Sequence, residues 1–583
     1  MTGPSYRQLN LKPVSLSWQP LLPTSEFSPL YLSDSSPDAH ATLSRYRDYL
    51  GHQIQHVIID CRTQLHVDAI AALCGTVTAG GSLTLLINNA ASESPMLQRL
   101  IKHWQPVSVA HYSPAPSFPT DEQQQALNQL TRTDQVHLLI ADRGRGKSHL
   151  LGKALATYLQ SPQPKKVIVT APRKANARVL LNQAGQVQFV AWDKLLQQQL
   201  GDALLVIDEA AGIPLWAIQR LCQHFQPWML ATTTQGYEGC GRGFTVHFKQ
   251  WVTQQFTSVA IHHLSQPVRW PAYDPLERWL NSALLLTPSP AELNNKLPDG
   301  VYRAAELPED HLHQAFELLL QAHYQSSPND LALLLDDDQQ RLVLHYQGNK
   351  IVAVAWLALE GDIDEQLQEP IVSGKRRPKG NLAPQALAYF LQQRWALQQR
   401  WCRVVRIAVR EPQRRQGLGS QLLRFVRDWA ITQNQDFLAT SFGYAPYLLQ
   451  FWQQNHFYPA RISTAVDRVS ARHPLIMAYP LNKDAATKLQ PLKSYGEAEL
   501  KWLIDGTIMP LPKHPVVKDI IDAFKNGIVK LESARFALIQ QPQIPDDIRE
   551  LLIANPLPIG ALKNLAGVEQ RQQIDQILKS YLP

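Results

Sequence analysis

The stretch Val136-His-Leu-Leu-Ile-Ala141, running straight into Asp142-Arg-Gly-Arg-Gly-Lys-Ser148, decides the fold. A short apolar run closed by a glycine-rich turn reads as a buried strand. Leu151, Ala154, Leu155 and Leu159 then recur at helical spacing, so a helix opens directly after the turn. Strand, glycine loop and helix in that order form a phosphate cradle. Gly144 and Gly146 let the backbone come close to an anion, which the loop N–H groups and the positive end of the helix then hold. In that reading Lys147 reaches the β- and γ-phosphates of a nucleoside triphosphate and Ser148 ligates its Mg²⁺. Ala141 stands where such loops usually begin with glycine.

The flanks complete this reading. Ala203–Ile207 is a second apolar strand, ending in Asp208-Glu209. Asp208 is placed to hold the metal and Glu209 to orient the attacking water. Upstream, Thr120-Asp-Glu-Gln123 resembles an adenine-reading element with Gln123 as the contact. Downstream, the glycine-rich segment 232–243 carries Arg242, a candidate contact to the γ-phosphate in the transition state. The runs KKVIVTA, ALLVIDEA and WMLATTT suit a parallel sheet covered on both faces.

Further outward the pattern repeats with different chemistry. CRVVRIAV leads into Arg410-Glu-Pro-Gln-Arg-Arg-Gln-Gly-Leu-Gly-Ser420, and Leu418, Leu422, Val426 and Trp429 follow at helical spacing. Arg414-x-x-Gly417-x-Gly419 fits the pyrophosphate loop of the GCN5-related acetyltransferase superfamily, which it resembles. Arg414, Arg415, Gln416, Gly417, Leu418, Gly419 and Ser420 then cradle the pyrophosphate of coenzyme A. The strand residues Ile407, Ala408 and Val409 offer backbone groups to the pantetheine arm and the thioester. Four side chains near this strand carry acid–base chemistry: His456, Tyr444, Tyr447 and Glu411; spacing singles out none of them as the catalytic residue.

With 583 residues the chain is too long for a single core. Four segments follow: an N-terminal α/β domain at 1–112, a RecA-like P-loop ATPase at 120–290, a GCN5-related acetyltransferase at 300–481, and a mainly helical tail at 482–583. The fold class is thus multidomain α/β. The five scattered cysteines form no CxxC pair, which speaks against a zinc site or a disulfide framework. No apolar run spans a bilayer and no signal pattern opens the chain, so no membrane partner and a cytoplasmic location are expected. A net charge of +7 favours a polyanionic partner. The run Lys375-Arg376-Arg377-Pro-Lys379 is a candidate RNA phosphate clamp.

An ATPase and an acetyltransferase in one chain are a rare pairing, and the motifs together resemble the bacterial tRNA(Met) cytidine acetyltransferase family. The residues carrying the resemblance are GRGKS at 144–148, DEAAGIPL at 208–215, ATTTQGYEGCGRGF at 231–244, RRPKGNLAPQAL at 376–387, RIAV at 406–409 and SFGYAPYLLQFW at 441–452. The resemblance implies ATP- or GTP-dependent formation of N4-acetylcytidine at the wobble position of elongator tRNA(Met), with acetyl-CoA as donor and no obligatory protein partner. It carries the nucleotide contacts onto Gln123, onto Gly144, Arg145, Gly146, Lys147, Ser148, His149, Leu150, Leu151, Gly152 and Lys153, and onto Arg242. Two positions depart from the family pattern: Tyr447 stands in place of a Glu, and Gln454 in place of a later Arg. A protein acetyltransferase regulated by an ATPase and an ATP-driven RNA remodeller are the rival readings. No second motor lobe is expected after Gly243, which counts against the remodeller.

Overall fold

The computed structural model describes residues 6–15, 29–88, 94–105, 117–198, 202–233, 241–322, 327–467, 470–554 and 571–582; the side chains of 241–243, 246, 322 and 571 lie outside that description. The chain forms two compact units. One comprises Met1–Leu297, Tyr302–Asp338 and Gln347–Ile351, the other Pro298–Val301, Gln339–Tyr346 and Val352–Pro583.

The first unit holds two all-parallel sheets. The smaller has the order Gln8–Pro13, Val77–Ile87, Ile54–Asp60, Leu30–Leu32. The larger runs Val259–Leu264, Val136–Ala141, Trp228–Thr232, Ala203–Ile207, Lys166–Thr170, Gln188–Phe189. Its three central strands are buried along their whole length, which requires helices on both faces and explains the unbroken apolar runs. One face packs Leu138, Leu205 and Leu230 with the helix Leu215–His224; the other packs Leu139, Val169 and Val206 with the phosphate-loop helix Lys147–Tyr158. Each fully buried aliphatic side chain contributes roughly 1.5–3 kcal/mol. The sequence reading missed the outer strand Val259–Leu264, whose run VAIHHL is broken by two histidines, and the two-residue strand Gln188–Phe189.

Two helices that follow Gly300, Glu309–Ala322 and Pro328–Asp336, belong to this first unit. Polar clamps explain why. The N–H of Asp68 donates to Asn329 Oδ1 and the N–H of Asn329 returns to Asp68 Oδ1, at 3.2 and 3.0 Å. Asp336 accepts from the Ser94 hydroxyl and the Met96 N–H, and the Arg99 guanidinium pairs with Glu309.

The second unit is built on a mixed seven-stranded sheet of order Gly300–Tyr302, Gln340–Gln347, Lys350–Gly361, Arg400–Val409, Phe437–Gly443, Pro474–Pro480, Tyr458–Ile462. The helix Leu418–Thr432 packs one core through Leu422, Leu423 and Val426. A separate core joins the helix Leu382–Phe390 to the tail helices from Lys483–Asp505 onward. Every regular element among the described residues of the tail is a helix. Arg535, 2% exposed, donates to the carbonyls of Leu552 and Ala554 and so ties its helices together.

Candidate functional site

Between the strand Val136–Ala141 and its helix, Gly144 and Gly146 both take left-handed φ, at 76° and 77°. The space around them is already filled. A Cβ on Gly144 would lie 2.6 Å from the Trp270 ring, and one on Gly146 would lie 2.8 Å from Gln123 Nε2. The Trp270 ring carries the Arg7 guanidinium 3.5 Å from its centroid, and Trp270 Nε1 donates to Glu277 at 2.9 Å. Arg7 is in turn ion-paired with the fully buried Asp274 at 2.8 Å. The loop therefore rests on a rigid cation–aromatic stack, its ring and carboxylate supplied by the segment after Val259–Leu264 and its cation by Arg7.

A cavity of about 350 Å³ opens over the loop. Gly144, Gly146, Lys147, Ser148, His149 and Glu209 border it, in keeping with the sequence reading. The remainder of the carried-over run points elsewhere. Leu150 and Leu151 are core residues, Gly152 packs under Leu180, and Lys153 is exposed on the helix. The Arg145 side chain turns away to pair with Glu277.

Gln123 is 1% exposed and its amide is committed at both ends. Its Oε1 accepts the Thr120 N–H at 2.9 Å in a capping box, and its Nε2 donates to the Arg145 carbonyl at 2.9 Å. It braces the phosphate loop from behind. The pattern Thr-x-x-Gln just before a helix was the available signal for this role. Arg242 begins the helix Gly241–Gln255, but its side chain lies outside the described residues.

Several wall residues escaped the sequence reading because they come from distant segments. Arg269, Phe118 and Asn176 line the cavity, as do Gly51 and Thr76 of the N-terminal domain. Arg269 donates to the Gly75 carbonyl at 2.8 Å; burial, then the neighbouring Arg143 and Arg7, bring its pKa down to about 10. Confined cations of this kind attract phosphate strongly. The Phe118 and His149 rings meet edge-on at 4.3 Å.

Lys147 is 5% exposed and donates to the Asp142 carbonyl at 3.2 Å. Burial lowers its pKa, against the pull of Glu209 and Asp208. Asp208 is fully buried: Oδ1 accepts the Glu209 N–H at 3.0 Å, whereas Oδ2 has no hydrogen-bond partner. Burial, then Glu209, push its carboxyl up to about 7, while Ser148 and Lys147 pull the other way. An orphaned carboxylate oxygen beside the hydroxyl of Ser148 is an oxygen donor set that fits Mg²⁺.

In the second unit, the strands Arg400–Val409 and Phe437–Gly443 pair only from Trp401↔Phe437 to Val404↔Thr440. Beyond that point they part. Ile407, Ala408 and Val409 thus keep backbone groups facing a gap, while their other edge remains bonded to Ala355, Val354 and Ala353. Gly417 caps the next helix at φ 82° in open space, with nothing within 4 Å of a Cβ. Gly419 packs more tightly, since a Cβ there would lie 3.2 Å from the Phe451 ring. Arg414 Nε donates to the Val409 carbonyl at 3.0 Å, tying loop to strand; Arg415 and Gln416 are exposed, and Leu418 and Ser420 half-buried.

The acid–base candidates scatter. Tyr444 is half-buried beside the parted strands, its N–H bonded to the His473 carbonyl at 2.8 Å. Tyr447, 65% exposed, sits in the first turn of the helix Pro446–Gln454. His456 is exposed beyond the far end of that helix, roughly 13 Å of helix length away. Glu411 is exposed and lies 3.8 Å from Arg414. The basic run Lys375, Arg376, Arg377 and Lys379 is exposed in the loop between the helices Glu365–Val372 and Leu382–Phe390.

Three family models match the chain. Residues 18–112 match the N-terminal domain of tRNA(Met) cytidine acetyltransferase TmcA, 138–287 the helicase domain of RNA cytidine acetyltransferase NAT10/TcmA, and 314–435 the GNAT acetyltransferase 2 model. A tRNA(Met) cytidine acetyltransferase TmcA of Idiomarina loihiensis is 44% identical over 98% of this chain and 98% of its own length. Proteins of the same name from Pectobacterium atrosepticum and Vibrio cholerae are 31% and 34% identical, covering 92% and 74% of this chain and 85% and 66% of their own.

Proposed function

The chain belongs to the tRNA(Met) cytidine acetyltransferase family, and from that membership and the two phosphate loops we infer that it transfers the acetyl group of acetyl-CoA to a cytidine of tRNA(Met) at the expense of a nucleoside triphosphate. The finer reading is N4 of the wobble cytidine of elongator tRNA(Met), with ATP as the preferred nucleotide. The observation that carries it is the coexistence in one chain of a buried triphosphate cage and a helix-capping glycine loop beside parted strands.

At the cage, Lys147 and Arg269 neutralise phosphate charge, and Glu209 orients the attacking water. Ser148 and Asp208 would hold Mg²⁺, which supplies charge neutralisation at the bridging oxygens. At the acetyl site the loop 414–420 seats the coenzyme pyrophosphate on the helix N-terminus, and the free backbone edge of 407–409 aligns the pantetheine and thioester. The N4 lone pair of cytosine is delocalised into the ring, so the reaction depends on positioning and on stabilising the oxyanion. The N4–acetyl carbon bond forms, the carbon–sulfur bond breaks, and the proton lost from N4 balances the thiolate released as coenzyme A. Tyr444, half-buried beside the gap, is the best placed of the four candidates to meet the departing sulfur. An unpaired anticodon loop presents its base at little unstacking cost. No helix among the described residues is long and apolar enough to cross a membrane, and we place the enzyme in the cytoplasm with its tRNA.

The test is incubation of the chain with labelled acetyl-CoA, nucleotide and unmodified tRNA(Met), followed by nuclease digestion and mass spectrometry. Acetylcytidine that needs the triphosphate supports the reading. Label in protein and none in RNA favours the protein-acetyltransferase rival.

A further inference from the structure

The basic run at 375–379 and the helix after it serve neither loop, yet they enclose a cleft of about 270 Å³. Its lining includes Ile371, Arg377, Leu382, Gln385, Tyr389 and Phe390. That volume lies at the low end for small-molecule pockets and suits one planar ring system. Two aromatic rings form the floor, with Tyr389 and Phe390 edge-on at 4.8 Å.

Both rings are fixed from behind. The Arg461 guanidinium lies 3.6 Å from the Phe390 centroid and is buried; it faces the carboxylate of Glu499 and the phenol of Tyr495. Tyr389 donates its hydroxyl to the Ile528 carbonyl at 3.3 Å. Its ring also fills the space that Gly374 leaves, since a Cβ there would lie 2.5 Å from it. The solvent side differs. Arg377 is exposed and sits 4.8 Å from the Tyr389 centroid and 5.8 Å from that of Phe390, a looser seat than that of Arg461. Lys375, Arg376 and Lys379 are exposed on the same loop as Arg377, and none of the four cations has an ion-pair partner among the described residues.

Strand register puts the floor at a meaningful height. Arg461 is opposite Ile476, and Ile476 is opposite Ser441. Ser441 is the residue after Thr440, where pairing with Arg400–Val409 ends. The back wall of the cleft is therefore level with the point at which the acetyl-site strands part.

We propose that this cleft takes one unpaired base of the RNA substrate, a neighbour of the cytidine that receives the acetyl group, stacked on Tyr389 and Phe390 beneath Arg377, with its phosphates on Lys375, Arg376 and Lys379. The proposal rests on the RNA reading above. Rigid aromatic faces with a planar cation form a stacking platform for single-stranded bases, and such a platform accepts any base because every base has a π-face. A phosphate clamp alone would need the four cations but neither the apolar cleft nor the braced rings.

The experiment uses the full chain and a set of anticodon stem–loop RNAs, each carrying 2-aminopurine at one unpaired position. Stacking quenches this base. One position flanking the target cytidine is expected to lose fluorescence on binding. Arg377→Lys keeps the charge but removes the planar guanidinium. It is expected to restore that fluorescence and weaken RNA binding roughly tenfold, with the salt dependence of binding unchanged. Phe390→Leu is expected to restore the fluorescence as well, and melting temperatures of both variants check that they fold.

Three outcomes overturn the proposal: no position responds; Arg377→Lys binds and quenches like the wild type while Arg377→Ala does not, leaving a phosphate clamp only; or excess coenzyme A displaces the quenched base, assigning the cleft to the adenine of the coenzyme. Acetylcytidine is measured in the same samples. Acetylation without quenching sinks this inference alone; absence of both RNA binding and acetylation sinks the RNA reading with it.

Discussion

The glycine loop at 144–148 is walled by Trp270, Gln123 and a buried lysine, whereas the loop at 414–420 lies largely open to water. Under the proposed function both use backbone N–H groups and a helix N-terminus to hold phosphate. The closed loop must stabilise charge that develops as a phosphoryl group departs, and low-dielectric walls multiply the effect of each fixed charge. In the proposed reaction the open loop only seats a pyrophosphate that does not react, so water at its rim costs little. Burial thus tracks where bonds change.

The sharpest way to break this contrast is Lys147→Ala. Removing a buried cation from the closed loop is expected to reduce phosphate release and triphosphate-dependent acetylation by at least roughly a hundredfold. Phosphate-release kinetics and acetylcytidine mass spectrometry check it; acetylation that survives at full rate would uncouple the two loops.

Next come the glycines. Gly144→Ala meets both a left-handed backbone and the Trp270 ring, held in place by Arg7. Its expected cost is about 2–4 kcal/mol, with loss of nucleotide binding. Gly417→Ala meets only the backbone term, about 1–2 kcal/mol, with a raised KM for acetyl-CoA. Denaturant unfolding ranks the two, and a reversed order would contradict the contrast.

A pH series sharpens it further. Burial, then Glu209, push the Asp208 carboxyl up to about 7 in the folded state, from the ordinary 3.8 of the unfolded chain. Between those values the native state holds the extra proton, so this group's contribution to stability is full below pH 4 and is lost as pH rises through 7. The deprotonated carboxylate is the form that binds a cation. The melting-temperature gain from Mg²⁺ and nucleotide is therefore expected to grow from pH 6 to pH 8 in the wild type and to stay flat in Asp208→Asn. A gain that falls over this range would refute the assignment.

The smallest effect is expected at the open loop itself. Arg414→Ala removes one hydrogen bond to the Val409 carbonyl. It should raise KM for acetyl-CoA roughly three- to tenfold, as steady-state kinetics will show.

The same contrast explains what could be read in the chain before its fold was known. Gly144, Lys147, Ser148 and the Asp208-Glu209 pair lie on short local motifs, and the structure brings all but the buried Asp208 to the wall of one cavity. Both glycine-capped helices were likewise written in local spacing. The residues that were missed have no local signature. Arg269 and Trp270 follow an outer strand interrupted by histidines, and Gly51 and Thr76 arrive from another sheet. Gln123 shows the limit of a local pattern, because Thr-x-x-Gln reads equally as a helix cap and as an adenine reader, and the structure describes the cap. The two helices Glu309–Ala322 and Pro328–Asp336 follow the acetyltransferase boundary in sequence but pack with the first unit, through clamps between residues more than 200 positions apart.

The parting of the strands after Val404↔Thr440 has a consequence for heredity. Main-chain atoms are the same whatever side chain a codon specifies, so a ledge made of them is invisible to most point mutations. Drift can rewrite the letters at 407–409 while leaving what they offer unchanged, provided the strand persists. Proline is the exception, since it deletes the N–H. Under the proposed function, the grip on the donor is thus inherited as a shape and lost chiefly through that one residue.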